Sequence, residues 1–238
     1  MGSTRLPGKV AMDVGGEPML VRVIRRARAF RGVDEVVVAT STLPPDQTVA
    51  DIAASVEAPC VRGAENDVLA RFHKAASAHQ ADAIVRVTAD CPLLDPEVSS
   101  RVIETFRRQR PDYASNMVMR TFPRGLDTEV ISWKALDLSH REATHPADRE
   151  HVTIFVRRQP DRFQHVHVTN DVDLSAFRWT VDTPQDLELI RRIYEVLGEK
   201  PFGFREVLRV LEDNPGWSRL NQHIEQKKVD LFRAEGLS

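Results

Sequence analysis

Two apolar runs, "VDEVVVAT" (33–40) and "DAIVRVTAD" (82–90), constrain the fold most, because both lack the alternation of a half-solvated strand. Strands apolar on both faces are covered on both faces, and here the segments between them carry helical spacing. After the first run comes a helix from Gln47 to about Val56 that Asp46 is placed to cap; "APCVRG" then reads as a short strand. "NDVLARFHKAASAHQ" is a helix opening at Asn66 or Asp67, and "DPEVSSRVIETFRRQ" is another, with Asp95 as N-cap and Pro96 in the first turn, where proline's missing amide costs nothing. Strand, helix, strand, helix predicts an α/β chain with a doubly wound, mostly parallel sheet. From Tyr113 the order loosens: "DYASNMVM", "LDTEVIS", "FQHVHVT" and "FRWTV" read as strands, interrupted by a helix around 149–158. "PQDLELIRRIYEVLG" and "FREVLRVLED" are helical, and the polar tail after Pro215 is expected to wrap the body or a partner.

Composition narrows what such a fold does. A chain of 238 residues, 42% apolar and 29% charged, buries one substantial core. It is expected to form a single domain over 1–238, with an inserted segment at about 112–170 and C-terminal helices over about 184–238. A net charge of −2 gives no global pull toward nucleic acid or anionic membrane, so an anionic ligand requires local positive charge. No apolar stretch reaches the roughly 18 residues of a membrane span and no leader pattern is visible, so the cytoplasm is the expected location. Cys60 and Cys91 are read as small buried hydrophobes, having neither disulfide nor zinc spacing.

Ligands of doubly wound sheets sit beyond the carboxyl ends of the strands. Three places qualify. In the opening "MGSTRLPGK", Arg5, Gly8 and Lys9 offer cations and backbone amides to phosphates beside the start of a helix at about Met19. The spacing departs from the Walker pattern, and a disordered terminus is the alternative. Asp90 follows a buried strand directly and is either a turn aspartate or a carboxylate held for Mg²⁺. Asp182 ends "RWTVD" and precedes Thr183–Pro184, so it is either part of a helix start or a second metal carboxylate. Two strand-end aspartates beside a cationic loop favour a site that holds a metal between a nucleotide and the protein.

The ordered set "GSTRLPGK", "GGEPMLVRVIRR", "RGAENDVLARF", "RVTADCPLLDP", "RGLDTEVIS", "REHVT" and "WTVDTPQDLELI" covers nearly the whole chain and resembles the cytidylyltransferase family. Within it the resemblance is nearest to the spore coat polysaccharide biosynthesis protein F group, similar to acylneuraminate cytidylyltransferases. It implies a Rossmann-like nucleotide-diphospho-sugar transferase fold and transfer of CMP from CTP to a sugar acid or sugar phosphate for surface polysaccharide or glycan synthesis, with Mg²⁺ as cofactor. It also implies a homodimer through the β-rich insertion, and neither nucleic acid nor membrane as partner. Gly2, Ser3, Arg5, Gly8 and Lys9 would wrap the triphosphate, and Arg62, Arg71 and Thr88 would line the nucleotide pocket. Asp90 and Asp182 would hold the metal, with Arg5 and Lys9 neutralising the departing pyrophosphate. Arg124, Asp127, Glu129, Arg149 and His151 fall in the sugar-contacting stretches, arginine suiting an acceptor carboxylate or phosphate through its planar fork. His151 is either a general base or a structural histidine.

Other features have plainer readings. His165 and His167 share one strand face and read as solvated, while Arg22, Arg25, Arg26 and Arg28 read as the polar face of a helix. In relatives a central strand precedes the phosphate loop, whereas Met1 stands inside that loop. The expectation is a late start, with the first strand missing unless a domain swap, a partner's strand or a distorted sheet makes up for it. Two rival functions remain: a nucleotidyltransferase that uses UTP or GTP, and a non-catalytic nucleotide-sugar binding or scaffolding protein.

Overall fold

The computed structural model of the chain describes residues 1–198 and 200–226. After a single 3₁₀ turn, Lys9–Ala11, come β1 (Asp13–Val14), β2 (Glu17–Pro18) and α1 (Met19–Arg28). Then follow β3 (Val38–Ser41), α2 (Gln47–Ser55), β4 (Cys60–Gly63), α3 (Val68–Ala78), β5 (Ala83–Arg86) and α4 (Pro96–Gln109). The insertion supplies β6 (Tyr113–Ser115), β7 (Glu129–Ser132), α5 (Trp133–Glu142), α6 (Pro146–His151), α7 (Ile154–Arg157) and β8 (His165–His167). α8 (Pro184–Leu197) and α9 (Phe204–Asp213) complete the described elements, apart from short 3₁₀ turns.

The α/β architecture is the expected one, and its sheets are mixed. β3 and β4 pair in parallel, as do β6 and β8, whereas β7 runs antiparallel to both β5 and β6 in the order β5-β7-β6-β8. Alternation through this larger sheet separates two cores. Ala114 and Val130 point into a core shared with Val23 of α1, Val102 of α4, Ile190 of α8 and Val207 of α9. Tyr113 and Ile131 point the other way, into a core with Leu69 of α3, Leu136 of α5 and Val156 of α7. A third, smaller core joins Leu20 and Ile24 of α1 to Val49 and Ala53 of α2.

Helix ends governed by local chemistry lie where the sequence puts them. Asp95 accepts from Val98 N at 2.9 Å to open α4, and Asp67 accepts from Ala70 N at 2.9 Å to open α3. Thr183 and Asp186 form a reciprocal capping box at α8. Asp46 precedes α2 but makes no cap; its carboxylate takes the Met1 ammonium and the Ser41 and Thr40 hydroxyls. Pairing with that ammonium and those hydroxyls overrides burial and holds Asp46 down at about 2.

Several expectations are corrected. "FRWTV" is no strand: Arg178 makes only an isolated bridge to Arg124, and Trp179 N donates to Arg124 O at 2.6 Å. The helix expected over 149–158 is two, α6 and α7, broken at Val152, whose φ of 59° lies outside the right-handed region. The run 33–40 forms ladder bonds only from Val38, because β4 begins opposite it at Cys60. His165 and His167 are half-buried, not solvated, with the His165 ring edge-on to Tyr113 at 5.5 Å. Cys91 is buried as expected and Cys60 half-buried, both as free thiols. Arg22 is also buried, its Nε donating to Val14 O at 3.0 Å, so the face expected to be polar is partly inward. The part of the tail expectation that falls on 227–238 lies outside the described residues.

Candidate active site

The opening loop, the segment after β5 and the segment before α8 converge on one ammonium. Gly8 sits at φ 71°, the left-handed region glycine enters without cost, and turns the chain into the Lys9–Ala11 3₁₀ turn. Lys9 Nζ then lies 2.7 Å from Asp90 Oδ2, 2.8 Å from Asp182 Oδ1 and 2.7 Å from Val181 O. Asp90 comes from the carboxyl side of β5 and is steadied by Thr88 Oγ1, 2.6 Å from its Oδ1. Asp182 precedes α8, and Val181 N donates to Asp90 O at 2.8 Å, tying the two segments together.

Two residues that sequence reasoning missed complete the cluster. Arg178 is buried and bonds Asp182 Oδ2 at 2.8 Å and both oxygens of Asp186 at 2.9 and 3.0 Å. Asp186, fully buried, also accepts from Asp182 N, Thr183 N and Asn221 Nδ2. It therefore positions both Arg178 and the backbone of Asp182. Arg5 adds a further ion pair to Asp182 at 2.7 Å, and its guanidinium also reaches Glu225 O at 3.5 Å. Arg178 Nη1 bonds Gln226 Oε1 at 2.6 Å, so the described end of the chain lies against the same cluster. The four-residue spacing from Arg178 to Asp182 to Asp186 is the sequence signal for this group; in "RWTVDTPQD" it is masked by the capping signature.

Three cations, Arg5, Lys9 and Arg178, thus face three carboxylates, Asp90, Asp182 and Asp186. Burial disfavours the Lys9 ammonium, but Asp90 and Asp182 outweigh it and hold its pKa above the ordinary 10.5. Burial likewise opposes the Asp182 charge, and Lys9, Arg178 and Arg5 overcome that, holding it below the usual 3.8. Asp186 is lowered in the same way, with Arg178 and backbone amides outweighing burial. The stability these carboxylates supply is present above the unfolded carboxylate range, near pH 4, and is lost as pH falls through their depressed values. Melting temperature is expected to fall steeply below about pH 4, and Asp182→Asn to flatten that acid limb. Calorimetry from pH 7 to pH 2.5 checks this; an unchanged limb in the variant rules the cluster out as its cause.

The same donors suit a hard divalent cation. Both carboxylates present oxygen to one point, and among the described residues there is no group of three or more His, Cys, Asp or Glu able to hold a metal. Two carboxylates without a full cage fit Mg²⁺, which takes one or two protein oxygens and completes its shell with water and substrate phosphates.

The remaining predicted site residues are distributed as follows. Ser3 Oγ accepts from Leu6 N inside the loop, and a Cβ on Gly2 would stand 3.3 Å from Glu65 Oε1. Arg62 clamps the turn after β3 through Ser41 O at 2.8 Å and Leu43 O at 3.1 Å. Arg71 donates to Ala64 O at 2.7 Å and Glu65 O at 2.9 Å, and its buried Nε has no partner among the described residues. Asp127 forms a two-pronged pair with Arg120 at 2.5 and 2.8 Å. Arg124 is half-buried, and its guanidinium has no hydrogen-bond or ion-pair partner among the described residues; burial and the nearby Arg120 and Arg178 charges lower its pKa. Gly125 beside it has φ 111°, and a Cβ there would lie 2.6 Å from the Trp179 carbonyl carbon, so only glycine lets this loop approach the Asp182 segment.

Glu129 and Arg149 are not free to meet an acceptor. Glu129 is 1% exposed, paired with Arg86 and accepting from Tyr113 and Thr153 hydroxyls at 2.6 Å each. Arg149 is locked onto Asp67 at 2.5 and 3.0 Å and onto His140 O at 2.8 Å, between α6 and α3. His151 is half-buried, and burial followed by the Arg86 and Arg157 charges holds its pKa below 6.5 despite Glu150.

A cationic loop closing over one carboxylate beyond β5 and another ahead of α8, in an α/β fold, suits an enzyme that handles a nucleotide through its phosphates. The family model described as cytidylyltransferase matches residues 1–229, and the chain belongs to that family, which makes it a CTP-dependent cytidylyltransferase. It is 34% identical over 230 residues to the spore coat polysaccharide biosynthesis protein SpsF of Bacillus subtilis, covering 90% of this chain and 92% of that one. Its structure is similar to that of a cytidylyltransferase from Leptospira borgpetersenii, with a TM-score of 0.89, 31% identity and 95% of each chain covered. A CMP:2-keto-3-deoxy-manno-octonic acid synthetase complexed with CTP shares the fold at a TM-score of 0.60 and 18% identity, over 82% of this chain and 95% of that one. No helix among the described residues is long and apolar enough to cross a membrane.

Proposed function

We propose that the chain transfers CMP from CTP to a small sugar acid or sugar phosphate, releasing pyrophosphate, in the synthesis of a surface polysaccharide or glycan. The observation that carries this reading is the convergence of Lys9 on Asp90 and Asp182 at the mouth of a glycine-turned loop. The SpsF resemblance supplies the polysaccharide context.

In the transfer an acceptor oxygen bonds to the α-phosphorus, the bond from that phosphorus to the bridging oxygen of the β-phosphate breaks, and the acceptor's proton passes to solvent or base. Little covalent work falls to the protein, so catalysis is positioning and charge stabilisation. Without substrate, Lys9 and Arg5 spend their charge on Asp90 and Asp182. Lys9 and Arg5 are the cations that would meet the triphosphate, and Asp90 and Asp182 are the carboxylates that would hold Mg²⁺. That ion supplies Lewis acidity and a template for the phosphate oxygens. Arg178 stays on Asp186 and keeps Asp182 aimed.

Arg124 receives the acceptor's carboxylate or phosphate. A half-buried guanidinium pressed by two like charges and lacking a carboxylate of its own gains from an anion, and its fork bonds two oxygens at once. The proposal includes a homodimer joined through the insertion, a reading supported by the exposed apolar side chains of Val118 and Met119 there.

The test is pyrophosphate release with Mg²⁺, each of the four nucleoside triphosphates, and a panel of keto-acid sugars and sugar phosphates. Turnover with CTP and an anionic sugar alone is the expected result; turnover with UTP or GTP instead removes the CMP reading. Arg124→Ala is expected to raise the acceptor KM by about tenfold or more, as loss of a charged hydrogen-bond pair costs roughly 1.5–3 kcal/mol. KM for CTP should stay within a factor of about two to three, and a rise confined to CTP places Arg124 on the nucleotide.

A further inference from the structure

The segment after α9 returns to the carboxylate cluster. Trp217 and Leu220 pack against the core that Leu189 and Ile193 of α8 join, and the Trp217 ring lies 5.6 Å from the Arg192 guanidinium. The 3₁₀ turn Ser218–Leu220 then delivers Asn221, which is 2% exposed, against Arg178 and Asp186. Its amide nitrogen donates to Arg178 O at 2.8 Å and to Asp186 Oδ1 at 2.9 Å. Both hydrogens of one side-chain amide are therefore spent on the cluster, and neither on its own turn.

A buried primary amide is costly unless it is bonded, so a residue needed here only for packing would be apolar. Packing alone does not hold it either: a cavity of about 130 Å³, lined in part by Trp179, Leu189, Ser218 and Asn221, adjoins the turn. The two hydrogen bonds fix Asn221, and through them Arg178 is fixed in turn. Its carbonyl is held by Asn221, its Nε and Nη2 by Asp186 at 2.9 and 3.0 Å, and its Nη1 by Gln226 Oε1 at 2.6 Å. So clamped, the guanidinium meets Asp182 Oδ2 at 2.8 Å through Nη2. Asp186 Oδ2 also accepts from Asp182 N at 2.9 Å, so Asp182 is held by its backbone and by one carboxylate oxygen. Its other oxygen, Oδ1, is left turned to Lys9 Nζ at 2.8 Å, where Asp90 presents its own carboxylate.

We infer that Asn221 is a positioning residue of the transfer reaction, one that orients Asp182 through Arg178 and Asp186 while bonding none of Asp182, Lys9 or Asp90 itself. Gln226 assists it from the Nη1 side of Arg178. The segment after α9 is thus part of what aims the carboxylate. The inference rests on the role proposed above for Asp182 in holding Mg²⁺.

Calorimetry of CTP binding with and without Mg²⁺, beside steady-state pyrophosphate release, tests it on the full chain and on Asn221→Leu. Leucine keeps the shape of the side chain, has the adjoining cavity to relax into and removes both donors. A residue that acts on stability alone lowers the melting temperature and leaves the Mg²⁺-dependent gain in CTP affinity as it is. Expected instead is a loss of about tenfold in that gain and a rise of about tenfold in the Mg²⁺ needed for half-maximal rate. Metal-free CTP binding and acceptor KM should stay within about twofold, as should the gain when Asn221→Leu is added to Asp182→Asn, because the group it aims is then gone. An unchanged gain in Asn221→Leu, or an equal loss with and without the Asp182 carboxylate, overturns the inference. A wild-type chain with no Mg²⁺-dependent gain, or an Asp182→Asn protein that keeps it in full, overturns it by removing the metal role of Asp182, which tells that failure from the first. If Asn221→Leu does not fold, Gln226→Ala takes its place. Gln226 is exposed and surrenders only the Nη1 contact, so a loss of about threefold in the same gain is expected, and no loss overturns the inference.

Discussion

Asp90→Asn is expected to cut CTP-dependent pyrophosphate release by about 10³-fold while leaving the fold intact. Electrostatic stabilisation by a held metal is worth several kcal/mol, and each 1.4 kcal/mol is tenfold in rate. Asparagine keeps the shape of the side chain and still accepts the Thr88 hydroxyl now 2.6 Å from Oδ1, but its neutral amide is a poor ligand for a hard cation. Lys9 retains Asp182 and the Val181 carbonyl, so no ammonium is left buried and unpaired. Asp182→Asn is the less informative experiment, because it strips charge from Arg5, Lys9 and Arg178 together and mixes folding with chemistry. Steady-state rates at rising Mg²⁺ with melting temperature in parallel settle the matter. A variant that keeps more than about a third of the wild-type rate at ordinary Mg²⁺ contradicts the role given to Asp90; full recovery at very high Mg²⁺ confines that role to affinity.

What the sequence made legible was whatever a few neighbouring residues decide. The Asp95–Pro96 start of α4 and the Thr183–Pro184 start of α8 follow from side chains that satisfy amides two or three positions on, and both formed as read. Lys9, Asp90 and Asp182 were singled out because strand ends in an α/β fold face a common crevice, and the three side chains do meet, although the strand expected before Asp182 did not form. Pairing between distant segments was not legible. "FRWTV" has the composition of a strand, but its neighbour is the glycine-bent loop at Arg124, which offers one bridge and no ladder. Arg178 and Asp186 were missed because only the fold brings Asp182 between them. Glu129 misled for the same reason. A carboxylate opening a strand looks available to ligand, and its inward direction depends on a register with β5 and β6 that no local signal encodes.

Glu129→Ala is accordingly expected to act on stability first. The carboxylate is 1% exposed and joins Arg86 of β5, Tyr113 of β6 and Thr153 ahead of α7, so three elements depend on one side chain. Burial opposes its charge, but Arg86 and the two hydroxyls prevail and hold it below the usual 4.5, which keeps it ionised at neutral pH. Removing it leaves the Arg86 guanidinium, already with an unpartnered Nε among the described residues, charged and inward. Breaking a buried pair from one side costs about 3–5 kcal/mol, equivalent for a chain of this size to a fall in melting temperature of about 6–20 °C. Glu129→Gln, which can still accept from Tyr113 and Thr153, should lose less. Because the wild-type group is depressed, its contribution is present above about pH 4.5 and fades as pH falls further, so the gap between wild type and Glu129→Ala should narrow in acid. Thermal melts of both variants at pH 7 and pH 3.5, with acceptor KM measured below the melt, separate structure from recognition. An unshifted melt with a raised acceptor KM would mean that Glu129 reaches the sugar, and that the buried network drawn around it does not hold in solution.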